Sequence, residues 1–184
     1  MIEWVFVMPN EYKKLVKEAV KGDKNAYGEL YKIFLDRIYR FVYYLVNDEF
    51  LAEDITQNTF LKAWNGLKNF SPAKGTFQSY LYTIARNLVI DHQRKKKEIS
   101  IELTIGENLK SETDLVDNAS RNESIVEVRK ALSVLSENDR QIVILRYFEE
   151  MSYDEIAGVV GKKSGAVRVK VHRLLEVLKN NMEK

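Results

Sequence analysis

The sequence predicts an all-α protein of two small helical domains joined by a flexible acidic linker. Three observations carry that expectation. Apolar residues recur at three- and four-residue spacing through most of the chain, the period of an amphipathic helix. Two prolines and eight glycines in 184 residues leave little turn chemistry for a sheet. Charge divides the chain in three: residues 1–97 hold 16 Lys/Arg against 11 Asp/Glu, residues 98–124 hold 2 against 7, and residues 125–184 hold 11 against 9. The divisions expected are an N-terminal extension with a short helix (1–22), a first domain (23–97), the linker (98–122) and a second domain (123–184).

Composition narrows the function classes. Hydrophobic residues at 45% and charged residues at 30% suit a packed core. The absence of cysteine excludes disulfides, thiolate metal sites and cysteine nucleophiles. No apolar run approaches the length of a membrane span, and the apolar stretch 2–8 lacks the basic start and small-residue cleavage site of a signal peptide. The expected location is the cytoplasm, with no membrane insertion, no metal, no cofactor and no small-molecule substrate. A net charge of +2 argues against tight DNA binding by the free chain, because non-specific affinity follows the number of phosphates neutralised.

Residues 1–9 give no decided element. A helix is expected over 11–20, with Tyr12, Leu15, Val16, Ala19 and Val20 in register and a stop at Lys21-Gly22-Asp23. A long helix over 25–46 places Leu30, Ile33, Phe34, Ile38, Phe41, Val42 and Leu45 on one face, bordered by tyrosines. After the turn at Asn47-Asp48-Glu49, a helix over 51–67 points Ile55, Phe60, Ala63 and Trp64 inward. Its other side aligns Asp54, Gln57, Asn58 and Leu61, and a leucine among exposed polar residues hints at a protein contact. Residues 68–75 form a basic loop with Phe70 and Lys74, and turn chemistry at Ser71-Pro72 and Lys74-Gly75.

The segment 76–97 is the more informative half of the first domain. Thr76 is a plausible N-cap. Phe77, Leu81, Ile84 and Leu88 make an apolar stripe, widened by Tyr80, Ala85 and Val89. Arg86, Asn87, Ile90, Asp91 and Arg94 line the opposite face, which runs out into Lys95, Lys96 and Lys97. Cations for phosphates and a short amide for a base edge suit a nucleic-acid surface. Taken alone, the same face reads better as a solvated one, with the macrodipole favouring terminal cations and Asp91 pairing with Lys95; the rest of the chain turns the balance.

From Glu98 to Asn122 the periodicity breaks, and an extended, largely unpacked linker is expected. Helices resume over 123–135, with Ile125, Val126, Val128, Leu132 and Leu135, and over 137–148, capped by Ser136, with Ile142, Val143, Leu145 and Phe148 inside. Ser152-Tyr153-Asp154-Glu155 is a capping box. It opens a short helix burying Ile156, Ala157 and Val160, which Gly161 stops. Lys162 and Lys163 lead to Ser164 as a second N-cap. A last helix over 165–179 turns Val167, Val171, Leu174, Leu175 and Leu178 inward. Two capped helices across a tight glycine turn form a helix-turn-helix. Its second helix exposes Arg168, Val169, Lys170, His172 and Arg173, with the N-terminal residues placed for a major groove and Val169 able to meet a thymine methyl. The alternation in residues 167–171 favours a strand locally, but the caps and the apolar register to Leu178 decide for helix.

With those segments in hand, the chain resembles the extracytoplasmic-function (ECF, group 4) sigma factors of bacterial RNA polymerase, from about Lys21 to Asn180. The carriers are AEDITQNTFLKAW (52–64), LYTIARNLVIDHQRKKK (81–97) and LSENDRQIVILRYFEEMSYDEIAGVVGKKSGAVRVKVHRLL (135–175), in that order. The resemblance implies two domains, called regions 2 and 4. Asp54, Gln57, Asn58 and Leu61 would dock on the β′ clamp of core RNA polymerase. Arg86 and Asn87, with the loop carrying Phe70 and Lys74 and the adjoining Ile90, Asp91 and Arg94, would read and trap the unpaired −10 strand; a flipped base needs a pocket, an edge partner and a stacking surface. Lys163, Ser164, Ala166, Arg168, Val169, Lys170 and Arg173 would bind the −35 duplex, the first helices of region 4 would seat on the β flap, and the linker would thread toward the polymerase active centre. An anti-sigma factor is a further implied partner. The chain departs from the family at Tyr80, where tryptophan is usual, and at 166–170, where Thr-Val-Lys-Ser-Arg is common.

Two other function classes compete. A free-standing helix-turn-helix regulator would need dimerisation to span two half-sites, and it leaves the first hundred residues without a role. A metal-dependent nuclease using Glu53, Asp54 or His92 is poorly served, because adjacent carboxylates diverge on a helix and His92 and His172 have no ligand partner in sequence.

Overall fold

The structure, a computed structural model, describes residues 12–106, 128 and 130–182. Residues 1–11, most of the expected linker and the start of the helix over 123–135 lie outside them. Seven α-helices follow in order among the described residues: α1 (Lys13–Val20), α2 (Lys24–Val46), α3 (Glu49–Gly66), α4 (Phe77–Gly106), α5 (Glu137–Tyr147), α6 (Tyr153–Val160) and α7 (Ser164–Met182). Two 3₁₀ turns, Leu67–Asn69 and Pro72–Lys74, bridge α3 and α4, and residues 130–133 are helical. No strand occurs among the described residues.

Side-chain caps set most of the helix starts. The Asp23 carboxylate accepts from the Asn25 and Ala26 amides at 2.8 and 3.1 Å, and Asp48 accepts from the Leu51 amide at 3.0 Å. Thr76 Oγ1 accepts from the Ser79 amide at 3.1 Å, and Ser136 caps α5 through the Asp139 amide. Ser152 and Glu155 form the reciprocal capping box, and Gly161 takes the left-handed conformation at φ +67°. Ser164 is the first residue of α7, one place inside the expected cap.

Helix α4 does not end near Lys97 but continues to Gly106. The i,i+3 and i,i+4 pairs of Arg94 with Asp91 (3.3 Å) and Glu98 (3.9 Å) tie the basic run to the residues beyond it. Arg94, rather than the expected Lys95, is therefore an observed partner of Asp91. No glycine or proline stands between Glu98 and Gly106, so nothing in the stretch breaks the helix that the Arg94–Glu98 pair carries into what the acidic composition suggested was linker.

Helices α1 to α4 surround a core of Leu30, Phe34, Ile38, Phe41, Leu81 and Tyr82, all buried. Phe41 meets Tyr82 edge-on at 5.1 Å, and Tyr31 meets Phe60 at 4.7 Å. The buried ridge of α4 is Phe77, Leu81, Ala85 and Val89, joined by Gln78 and Tyr82, while Ile84 and Leu88 are only half-buried. The second helical domain is centred on Ile142, Leu145, Met151, Ile156, Val167 and Val171.

Helix α5 buries five consecutive residues, 141–145, which a helix with one solvent face cannot do. The reason is tertiary: α6 and α7 pack on one side and α2 on the other, while α6 also packs on α4. The two domains thus rest against each other. Two expected core residues are corrected here. Phe148 faces outward and meets Tyr44 of α2 at 5.5 Å, and Leu175 is 42% exposed, because it lies one position round the helix from the buried stripe of Val167, Val171 and Leu174.

Candidate nucleic-acid interface

The polar face of α4 divides in two. Asn87, Asp91 and Arg94 are exposed and Ile90 is half-buried, so this part faces solvent. Arg86 does not. It is half-buried, and its Nε donates to Gln141 Oε1 of α5 at 2.8 Å. Burial lowers its pKa from the ordinary arginine value, though a guanidinium remains cationic at neutral pH. Asp91 and Arg94 neutralise each other as an ion pair. Of the loop residues, Lys74 is exposed, whereas Phe70 is half-buried against Phe77 (5.9 Å) and Tyr80 (5.3 Å). Phe70 is therefore part of an aromatic cluster and only partly accessible.

Tyr80 sustains this corner. Its hydroxyl donates to the Ala63 carbonyl at 3.3 Å and lies where a Cβ on Gly66 would stand, 2.5 Å away. Gly66 is thus the small residue that lets α4 approach the end of α3. The departure from tryptophan at position 80 leaves the α3–α4 packing intact.

Of the candidate residues on α7, Ala166, Arg168, Val169, His172 and Arg173 are exposed, with Lys163 exposed in the turn before it and Ser164 half-buried. Val169 is 53% exposed. Arg168 lies over the Tyr153 ring at 5.3 Å, which orients the guanidinium without consuming its donors. Lys170 is committed differently, paired with Asp139 of α5 at 2.9 Å. Tyr153, Arg168, Val169, His172 and Arg173 border an open cleft of 470 Å³.

On α3, Asp54, Gln57 and Leu61 are exposed, and Asn58 is half-buried with its amide donating to the Asp54 carbonyl at 3.0 Å. Sequence reasoning missed Phe50, which is 77% exposed, beside Leu61 at 58%. Positions 50, 54, 57 and 61 share one face, placing two large apolar groups about 16 Å apart along the helix. The signal was available in the 50/54/57/61 spacing, but the helix was expected to start at Leu51, whereas it starts at Glu49 and includes Phe50. Gln141 and Glu149 were also missed, since nothing local marks them as reaching the first domain.

Among the described residues His92 and His172 are both exposed, and no three His, Asp or Glu side chains are grouped where they could hold a metal ion. No helix among them is long and apolar enough to cross a membrane.

The description "Sigma-70 region 2" matches residues 30–99, and "Sigma-70, region 4" matches residues 125–178. The chain is 34% identical over 171 residues to the ECF RNA polymerase sigma factor BldN of Streptomyces coelicolor, covering 90% of this chain and 63% of that protein. It is 29% identical over 180 residues to the ECF RNA polymerase sigma factor SigW of Bacillus subtilis, covering 92% and 96%. It is 32% identical over 164 residues to the RNA polymerase sigma factor YlaC of the same organism, covering 88% and 92%. Among solved structures, CnrH in complex with the cytosolic domain of CnrY superposes with a TM-score of 0.70 at 23% identity, over 92% of this chain and 96% of that one. The sigma factor RpoE in complex with the anti-sigma factor NepR, from Bartonella quintana, also gives 0.70, at 24% identity over 85% and 96%. The two structures share the fold. A free-standing regulator leaves residues 30–99 unexplained, whereas they match region 2 of the sigma-70 family. The chain belongs to the extracytoplasmic-function sigma factors of that family, RNA polymerase subunits that direct promoter recognition.

Proposed function

We propose that this chain guides core RNA polymerase to promoters through three separate faces. Asp54, Gln57, Asn58 and Leu61, extended by Phe50, dock on the β′ clamp, with the exposed Phe50 and Leu61 supplying apolar contacts and the residues between them polar ones. Asn87, with Arg86, Ile90, Asp91, Arg94, Lys74 and Phe70, holds the unpaired −10 strand. Lys163, Ser164, Ala166, Arg168, Val169, Lys170 and Arg173 engage the −35 duplex. The observation that carries this reading is the exposure of Asn87 and Arg168 on separate helices, each backed by a packed ridge that fixes its direction. The first helices of the second domain meet the β flap, the linker enters the polymerase toward its active centre, and an anti-sigma factor restrains the chain. The chain acts in the cytoplasm, and catalysis belongs to the polymerase.

The test is transcription by purified chain with core polymerase. Initiation at discrete genomic sites is expected. Asn87→Ala impairs open-complex formation, read by permanganate footprinting, and leaves core binding unchanged. An Asn87→Ala protein that melts promoters normally removes the assignment of this residue.

A further inference from the structure

Glu149 is the least accessible charged side chain that the two domains share, only 3% exposed, although it lies in the turn between α5 and α6. Its local backbone explains how it is delivered. Past the end of helix α5 the chain doubles back: the Met151 amide donates to the Leu145 carbonyl at 3.0 Å, and Glu150 takes the left-handed conformation at φ +53°. That reversal turns Glu149 away from its own domain and into the face of α2 and α4. There Arg37 Nε donates to Glu149 Oε2 at 2.9 Å, and the Tyr82 hydroxyl donates to the same oxygen. The Glu149 carbonyl accepts from Arg37 Nη2 and from Gln78 Nε2, each at 3.2 Å. Three first-domain side chains, none adjacent in sequence, converge on one residue of the second domain.

We infer that Glu149 is an intramolecular latch that closes the second domain over the α2–α4 face and keeps Arg86 occupied by Gln141, so that the chain must open before its −10 face is complete. This rests on the promoter-binding reading above. The physical character of the contact fits a latch rather than a permanent weld. A buried ion pair gives up hydration worth nearly as much as its Coulomb attraction, so it selects one arrangement strongly while remaining releasable when both groups regain water or new partners. The contact also controls the interface that matters: Arg86 lies two helical turns beyond Gln78 on α4, and both are held by α5 or the turn that follows it.

The test uses the full chain without DNA or polymerase. The sequence has no cysteine, so Lys32→Cys and Asn180→Cys, both exposed, give unique dye sites for energy transfer between the domains. Glu149→Gln is expected to shift the transfer efficiency to that of an open chain. Arg37→Gln, in the other domain and partly exposed, is expected to do the same, which separates unlatching from local misfolding. Glu150→Gln, an exposed neighbour, leaves the wild-type value. Binding of the free chain to a single-stranded −10 oligonucleotide rises with opening, by up to roughly tenfold if the latched state holds about nine-tenths of the wild-type population. Unchanged transfer in both Glu149→Gln and Arg37→Gln, equal opening by Glu150→Gln, or opening without tighter oligonucleotide binding would each overturn the latch. If transfer shifts as expected while no variant supports initiation with core polymerase, it is the promoter-binding reading that fails.

Discussion

Helices α4 and α7 each carry a cationic face over an apolar ridge, but the fold presents the two faces differently. On α7, Arg168 rests on Tyr153 and keeps its outer donors free. On α4, Arg86 donates to Gln141 of a neighbouring domain and loses part of its hydration. The ridges beneath are equally deep: Leu81 of α4 is fully buried between α2 and α3, and Val167, Val171 and Leu174 of α7 are at most 4% exposed. Leu175, one position round the helix from that ridge, is 42% exposed. What differs is whether a helix of the other domain reaches the polar face.

The largest expected consequence concerns burial on and off the ridge. Leu81→Ala should cost about 2–5 kcal/mol in chemical denaturation, the range for emptying a packed core site. Leu175→Ala should cost less than about 1 kcal/mol, since most of its apolar area gains little from folding. Equal losses would break the comparison.

The next effect concerns the faces. Arg168→Ala should weaken −35 duplex binding by about 1–3 kcal/mol if it reads a base edge, measured with holoenzyme in a titration against a matched and a scrambled duplex. An equal loss on both would make it a phosphate contact. Arg86→Ala should leave −10 oligonucleotide binding by the free chain almost unchanged, because that donor is already engaged, and should weaken it only in a Glu149→Gln background. The two single losses would become equal if Arg86 were as free as Arg168.

Smaller effects sharpen the local picture. Ser152→Ala should cost about 1 kcal/mol of stability through loss of the α6 cap. Lys170→Ala should change stability by about 0.2–1 kcal/mol, since its pair with Asp139 is partly solvated, and it should lower duplex affinity less than Arg168→Ala does.

Much of this was legible locally. The caps at Thr76, Ser136 and Ser152 and the left-handed Gly161 are where side-chain chemistry places them, because each depends on atoms within a few residues. The face of α3 was legible except for Phe50, whose placement depends on where Asp48 starts the helix. Phe148 was misplaced because a position in register with the core can equally serve a second surface, here Tyr44 of α2. The end of α4 was misjudged because acidic composition was weighed above the i,i+4 pairing of Arg94 with Glu98.

The sequence alone determined most of the helices and their capped starts, the family and the cationic faces proposed for nucleic acid, since these follow from spacing and from bonds spanning three or four positions. Which offered residues remain free was decided by tertiary structure. Arg37 and Glu149 lie 112 positions apart, and Arg86 and Gln141 lie 55 apart. No periodicity reports a contact of that separation; it exists only once two ridges have packed and brought a buried carboxylate beside a guanidinium.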